Sequence, residues 1–337
     1  MDNIEYRQNI TTQYCFPGNN ASCRKEVRGG HVYIVLFIVL SCISVCTVIL
    51  NLLVIISISH FKQLHTPTNL LILSLAVADF LVGLFVMPMK ILQLLDSCWY
   101  LGKLACALTK LINGILLLAS LFNLVFIAVD RYIAISDPML YSTRVTPLKM
   151  SLSIIMGWSF CLVYVLVFMY FNNHLYPAQM YTTCYGECVV FVKFSWTIAN
   201  MVVFFLTPCS SILILYSLIF NVARWQAKAV RSVKNSHVHG AKISNSSETK
   251  AAKTLGIIIF FYLAFWIPFY ISSLTVTGLT TLSILWTVFT WLMAINSFVN
   301  PMIYAIFYPW FRASAKYILT CRICESSSSE LSLYREH

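Results

Sequence analysis

Seven apolar runs, each about 20 residues or longer, alternate with short polar stretches along the chain; they centre near Val45, Ala76, Leu117, Cys161, Phe205, Phe261 and Met293. At helical rise a run of that length crosses roughly 30 Å, the hydrocarbon thickness of a bilayer. Backbone polar groups in hydrocarbon must bond within their own segment, so these runs predict helices; the alternating segments of about 10 residues that build a membrane barrel are not seen. The predicted fold class is an all-α membrane protein, a seven-helix transmembrane bundle. Residues 1–31 form a polar N-terminus, 32–308 the bundle and its loops, and 320–337 a short serine-rich tail. Residues 225–249, basic and rich in Ser and Asn, read as a partly disordered loop. Residues 309–319 read as a short amphipathic helix lying along the membrane surface.

Composition agrees with this. The chain has 337 residues, 59% hydrophobic and only 10% charged, where a soluble domain is about a quarter charged. The net charge of +11 is no nucleic-acid signal, because the basic residues segregate. Of 23 Lys and Arg, 15 fall on one side of the seven spans: Lys62, Arg131, Arg144, Lys149, seven from Arg224 to Lys253, and four from Arg312 onward. The positive-inside rule makes that side cytoplasmic and the N-terminus extracellular. No cleavable apolar stretch occurs in the first 30 residues, so no signal peptide is expected. Asn9 and Asn20 head glycosylation sequons on the outer side.

Enzyme chemistry finds no footing: the sequence has no His-Glu-x-x-His, no Walker loop and no Gly-x-Ser-x-Gly turn. No metal site is expected beyond a sodium ion discussed below. Charged rings, paired broken helices and internal repeats are also missing, which speaks against a channel or transporter.

Twelve cysteines sort by compartment. Cys15, Cys23, Cys98, Cys106, Cys184 and Cys188 lie on the outer side and predict three disulfides, with 15 possible connectivities. Cys42, Cys46, Cys161 and Cys209 lie within spans and read as packing residues. Cys321 and Cys324 follow the last span; they are palmitoylation candidates, with free thiols as the alternative.

Ionisable residues inside a span are costly and usually functional. The third span carries Lys110 and Asn113 near its start and closes on Asp130-Arg131-Tyr132. Eighteen residues separate Asn113 from Arg131, about five turns and roughly 27 Å, so both share one face. Asp79 on the second span has Asn51, Ser120, Asn296, Ser297 and Asn300 on others. This polar set suits a sodium ion, with a water-filled network as the other reading. Arg131 reads as a partner for Glu248 at the foot of the sixth span, or as a side chain snorkelling to the interface. Pro208, Pro268 and Pro301 interrupt the fifth, sixth and seventh spans and predict bends that serve as hinges.

These motifs together resemble the rhodopsin-like G-protein-coupled receptors. The resemblance covers all seven spans: Asn51, Leu75-Ala76-Val77-Ala78-Asp79, Asp130-Arg131-Tyr132, Trp158, Pro208 with Tyr216, Phe265-Trp266-Ile267-Pro268 and Asn300-Pro301-Met302-Ile303-Tyr304. Within that class the chain resembles the trace amine-associated receptors, fish-type olfactory members among them. Lys250 to Gly256, Phe307 to Arg312 and the outer cysteines carry that likeness. The resemblance implies disulfides Cys106–Cys188, Cys15–Cys184 and Cys23–Cys98. It also implies a plasma-membrane receptor, expected in olfactory neurons, that couples to a stimulatory heterotrimeric G protein and raises cyclic AMP. Arrestin is a further expected partner, with Ser326 to Ser329 as phosphorylation candidates. Ligand binding is expected to let the sixth span swing outward and expose Arg131 and Tyr216 to the G protein.

The sequence departs from the family at its amine-binding positions. Asn113 stands where the amine-binding aspartate is expected, Asn200 where some fish members carry a second aspartate, and Ala294 where the aminergic tyrosine lies. Tyr262 replaces a phenylalanine one turn inward of Trp266. Meanwhile Lys110 and Lys90 flank the mouth, and Lys193 heads the fifth span. Three ligand readings follow. An anionic or zwitterionic molecule is held by Lys110 and Lys90; a neutral one rests on Trp266, Phe269, Tyr270 and Trp291; or an amine is held by aromatic faces with Glu187 or Asp96 above.

Overall fold

The computed structural model describes residues 13–25, 30–173, 184–188, 192–234, 244–275, 282–324 and 328–330. Seven long helices follow one another: α1 (His31–His60), α2 (Pro67–Leu95), α3 (Gly102–Ser136), α4 (Pro147–Phe171), α5 (residues 194–234), α6 (Ser244–Thr275) and α7 (Leu282–Phe307). A short helix α8 (Pro309–Leu319) closes the series. Six of them are long and apolar enough to cross a membrane, and α6 contributes the apolar stretch Gly256–Ser272. Large apolar side chains such as Ile34, Val45, Ile155 and Phe160 face outward, a surface suited to lipid rather than water.

The helix starts are written locally. Thr66 and Thr146 each accept a hydrogen bond from the backbone three residues on and precede a proline in the first turn of α2 and α4. Asp137 does the same for a helix of 7 residues, Pro138–Arg144, so Asp137-Pro138 both ends α3 and starts the next turn.

Two expectations change. Residues 225–249 are not a loop throughout: α5 continues helically to Lys234 and α6 begins at Ser244, while 235–243 lie outside the described residues. Pro208 does not simply bend α5. The helix widens into a π turn, Val202–Leu206, just before it, and α2 widens likewise at Val82–Val86 before Pro88. A proline lacks the N–H that would continue the ladder, and a wider turn absorbs the mismatch.

α3 is the central post, in contact with α2, α4, α5 and α6. Its buried face, Leu116, Leu118, Ala119, Leu121, Leu124, Ile127 and Ala128, forms the middle of the core. Cys161 and Cys209 are buried as packing residues, whereas Cys42 and Cys46 are exposed on α1, a correction to their expected packing role. The outward side of α1 is apolar enough that a thiol there needs no core to hide in.

Candidate functional site

At one end of the bundle, residues 13–25 fold back as a strap over the loops. Cys15 N–H donates to Cys23 O at 3.0 Å, and Tyr14 pairs with Arg24. The second arm of this turn runs beside Tyr185: Cys23 N–H donates to Tyr185 O at 2.9 Å, and Tyr185 N–H to Ala21 O at 2.7 Å. That pairing decides the disulfides. Cys106–Cys188 forms as expected, with Cα atoms 5.7 Å apart. The other two expected pairs are exchanged: Cys15 joins Cys98 and Cys23 joins Cys184. The arm carrying Cys23 is the one hydrogen-bonded along the Cys184 loop, which leaves Cys15 to face Cys98. Gly186 sits beneath the turn with φ +99, where a Cβ would stand 3.0 Å from Phe16 and 3.1 Å from Cys15.

The strap also pairs with Asp96 and lies beside Glu187, the two acids expected near the ligand. Asp96 pairs with Lys25 at 2.9 Å and accepts from Cys98 N–H at 3.0 Å. Partial burial pushes the Asp96 carboxyl up, but Cys98 N–H, Lys25 and Tyr100 outweigh it and hold the group below its ordinary value. The Asp96 hydrogen bond in turn raises the Lys25 ammonium above its own. The Glu187 carboxylate lies within 4.8 Å of both sulfurs of Cys23–Cys184. Those sulfurs are bonded to each other, so the cluster is no metal site.

Below the strap, α2, α3 and α7 bring together the two lysines. Lys90 donates to the backbone carbonyl of Thr290 on α7 at 2.8 Å. Its head therefore points across the bundle, over a buried patch made by Met87, Ile91, Leu116, Trp291 and Ala294. Lys110 is half-buried and lies within electrostatic reach of Lys90. One turn deeper, Asn113 is half-buried with its Oδ1 enclosed and unpartnered. Asn200 is directed elsewhere: its Oδ1 accepts from the Tyr164 hydroxyl at 2.7 Å, tying α5 to α4. Lys193 donates to the carbonyl of Phe171 at 2.8 Å, at the exposed rim.

Deeper still stands a column of stacked rings: Phe205 on Tyr270 at 4.8 Å, Tyr270 on Trp266 at 6.1 Å, and Trp266 on Tyr262 at 5.1 Å. Phe269 meets Tyr270 edge-on at 5.3 Å. The buried indole N–H of Trp266 finds no partner among the described residues. Tyr262 is buried, and its hydroxyl lies 3.5 Å from the carbonyl of Phe204. That is the carbonyl a residue with an N–H at position 208 would bond in an α-helix, so Pro208 leaves it open to the tyrosine.

Asp79 is completely buried mid-bundle and accepts from Asn300 Nδ2 at 2.8 Å and Ser120 Oγ at 3.3 Å. Asn51 donates to Ser297 O at 3.1 Å, tying α1 to α7. No basic side chain pairs with Asp79 among the described residues. Among the described residues the buried Oδ1 atoms of Asn296, Asn300 and Asn51 find no partner. An uncompensated carboxylate with the Ser120 hydroxyl and the Asn300 amide against it is a donor set that fits a small hard cation.

At the opposite end, Arg131 pairs with Asp130 at 2.7 Å and also donates to Thr68. Asp130 further accepts from Thr68 Oγ1 at 2.7 Å and from the Tyr141 hydroxyl at 2.7 Å. Burial pushes the Tyr141 phenol up to about 12, so it stays a donor at physiological pH. Thr68 and Tyr141 carry no sequence signal for this role; they are found only because α2 and the Pro138–Arg144 helix pack against the end of α3. A small cleft here is lined by Arg131, Ile258, Tyr304 and Tyr308 among others. Tyr132 packs with Ile135 and Ile219. Tyr216 presses on Gly256 of α6, where a Cβ would come within 2.7 Å of its Cζ. Pro268 and Pro301 lie inside α6 and α7.

Comparison with known proteins decides the family. The 7 transmembrane receptor (rhodopsin family) profile matches residues 50–304. Trace amine-associated receptor 13c of Danio rerio is 39% identical over 331 residues, covering 96% of both chains. This chain belongs to the trace amine-associated receptors. Its similarity to trace amine-associated receptor 6 of Homo sapiens is 37% over 343 residues, 97% of each chain, and to receptor 8b of Rattus norvegicus 38% over 338 residues, 97% of this chain and 98% of the other. As a receptor of this family it is a multi-pass membrane protein and not an enzyme.

Several expectations fall on residues whose placement or side chains lie outside those described: the Asn9 sequon, the Glu248 and Cys324 side chains, and Ser326 and Ser327. Asn20 and Cys321 are exposed.

Proposed function

We propose that this receptor senses a small anionic or zwitterionic molecule rather than a simple amine, and answers by activating a stimulatory heterotrimeric G protein. One observation carries the reading: Lys90 and Lys110 both lie within the bundle between α2, α3 and α7, while the position expected to hold a carboxylate is Asn113. A buried ammonium ligand would meet two like charges and no counter-charge, which is expensive. A carboxylate, sulfate or phosphate would meet charge-assisted donors. Of the acids offered by the amine reading, Asp96 is paired with Lys25 and Glu187 lies at the strap beside the Cys23–Cys184 bridge.

The strap end is extracellular in this reading and the Arg131 end cytoplasmic, at the plasma membrane of an olfactory neuron. Ligand contact shifts the population toward a state in which α6 moves away from Tyr216 and frees Arg131. Arrestin, glycosylation at Asn9 and Asn20, and lipidation at Cys321 and Cys324 belong to the same proposal. Asp79, with Ser120, Asn296, Ser297 and Asn300, would hold a sodium ion that stabilises the resting state; replacing sodium by a large organic cation should then raise basal signalling.

The test is a cyclic AMP screen on cells expressing the receptor, using acids and amines of matched carbon skeleton. Response to an acid that is lost in Lys110→Ala supports the reading. Response to amines alone contradicts it.

A further inference from the structure

The class of acid can be narrowed by asking which polar atoms around the two lysines are already spent. Lys90 has used one of its three N–H groups on Thr290 O. Lys110 makes no hydrogen bond or ion pair among the described residues, and neither does the Asn113 carboxamide, whose Oδ1 is enclosed. Asn200, by contrast, has its acceptor filled by Tyr164. The unspent groups are therefore not scattered. They sit three residues apart on one face of α3, with side chains about 5–6 Å apart at Cβ. Buried polar groups in folded proteins are nearly always paired, with protein or with water, so the enclosed Asn113 amide is open to a ligand group that takes the place of water.

We infer that this receptor takes a small acid carrying a second polar group, a hydroxyl or an amide, close to its carboxylate. The carboxylate meets Lys110 beside Lys90, and the neighbouring group meets Asn113 one turn deeper. This rests on the anion reading and goes one step past it. Lys110 and Asn113 lie one turn apart on one face of α3, so a ligand held at the first can extend a second polar group toward the second, and the amide can either accept from it or donate to it. A plain acid leaves that amide unpaired.

The experiment uses full-length receptor in cells with a cyclic AMP readout and surface expression measured in parallel. The probes are 3-phenylpropanoate, its 2-hydroxy derivative and 3-phenylpropylamine. On the wild type the hydroxy acid should be about 5- to 10-fold more potent than the plain acid, the worth of one buried hydrogen bond. In Asn113→Ala that preference should vanish while the plain acid keeps its potency. Asn113→Ser, which retains a hydroxyl, should keep part of it and guards against a variant that does not reach the surface. Lys110→Ala should lose both acids. Equal potency of the two acids on the wild type, or a preference that survives Asn113→Ala, overturns the inference and leaves the anion reading standing. Silence to both acids with a response to the amine overturns both.

Discussion

Lys90 on α2 reaches across the bundle and hydrogen-bonds the backbone carbonyl of Thr290 on α7 at 2.8 Å. A lysine near a helix end normally turns its head toward headgroups and water. This one points inward, toward the element that carries Trp291 and Ala294. Lys90→Met keeps the stem and removes the charge, so acid agonists should lose about 10-fold in potency, with Lys90→Arg retaining part of the response. Dose–response curves at matched surface expression check this; unchanged potency in Lys90→Met would place the ammonium outside the ligand's reach.

Tyr262 and Pro208 form a second cross-helix relationship. The proline leaves the Phe204 carbonyl without its helical donor, and the tyrosine hydroxyl lies 3.5 Å from it. The contact is made while Arg131 is still held by Asp130. Tyr262→Phe should therefore loosen α6 from α5 and raise basal cyclic AMP by about 2- to 5-fold, the modest worth of one long hydrogen bond. Basal signalling that is unchanged or lower in that variant would remove the contact from the resting state.

Tyr141 makes the same kind of statement at the other end. It donates to Asp130 at 2.7 Å, beside the Arg131 pair. Because its phenol titrates only at about 12, this support does not vary across physiological pH. Tyr141→Phe should raise basal nucleotide exchange several-fold, and Asp130→Asn should raise it further, since a hydrogen bond to a charged group is worth about 1.5–3 kcal/mol. Guanine-nucleotide exchange on purified receptor and G protein measures both.

Much of the fold was legible because membrane helices are written in hydropathy, and the stretch opening at Tyr308-Pro309 is the short helix the structure keeps. The caps at Thr66, Asp137 and Thr146 came only with the structure. The helical extension of α5 to Lys234 was not legible, since a basic polar run reads as loop until it is tied to a helix already propagating. Lys90 and Lys110 stood out as charges in apolar runs. Thr290 did not, because what it offers is a backbone carbonyl, which every residue has. The partners of Cys15 and Cys23 were beyond reach for the same reason: backbone pairing of Cys23 with Tyr185 decided them.

That pairing is open to direct test. Peptide mapping without reduction should recover Cys15 joined to Cys98 and Cys23 joined to Cys184, with Cys106–Cys188. The Lys25–Asp96 pair beside them should hold across the neutral range. Asp96 is lowered, so its contribution is present above its unfolded value and lost only as pH falls through the folded one. Lys25 is raised, so its contribution is lost only as pH rises above its ordinary value. Hydrogen-exchange protection of residues 13–25, corrected for intrinsic rate, should be flat between about pH 5 and 9 and fall in Asp96→Asn. Protection that changes within that window would point to another titrating group.

The claim at the centre is electrostatic: two lysines inside the bundle and an amide in place of the expected carboxylate. The most direct measurement is the cyclic AMP response of wild type, Lys110→Ala and Glu187→Gln to paired libraries of acids and amines. The account predicts that acids activate the wild type, that Lys110→Ala abolishes their effect and that Glu187→Gln leaves it in place. Activation by simple amines that survives Lys110→Ala and disappears in Glu187→Gln would contradict it.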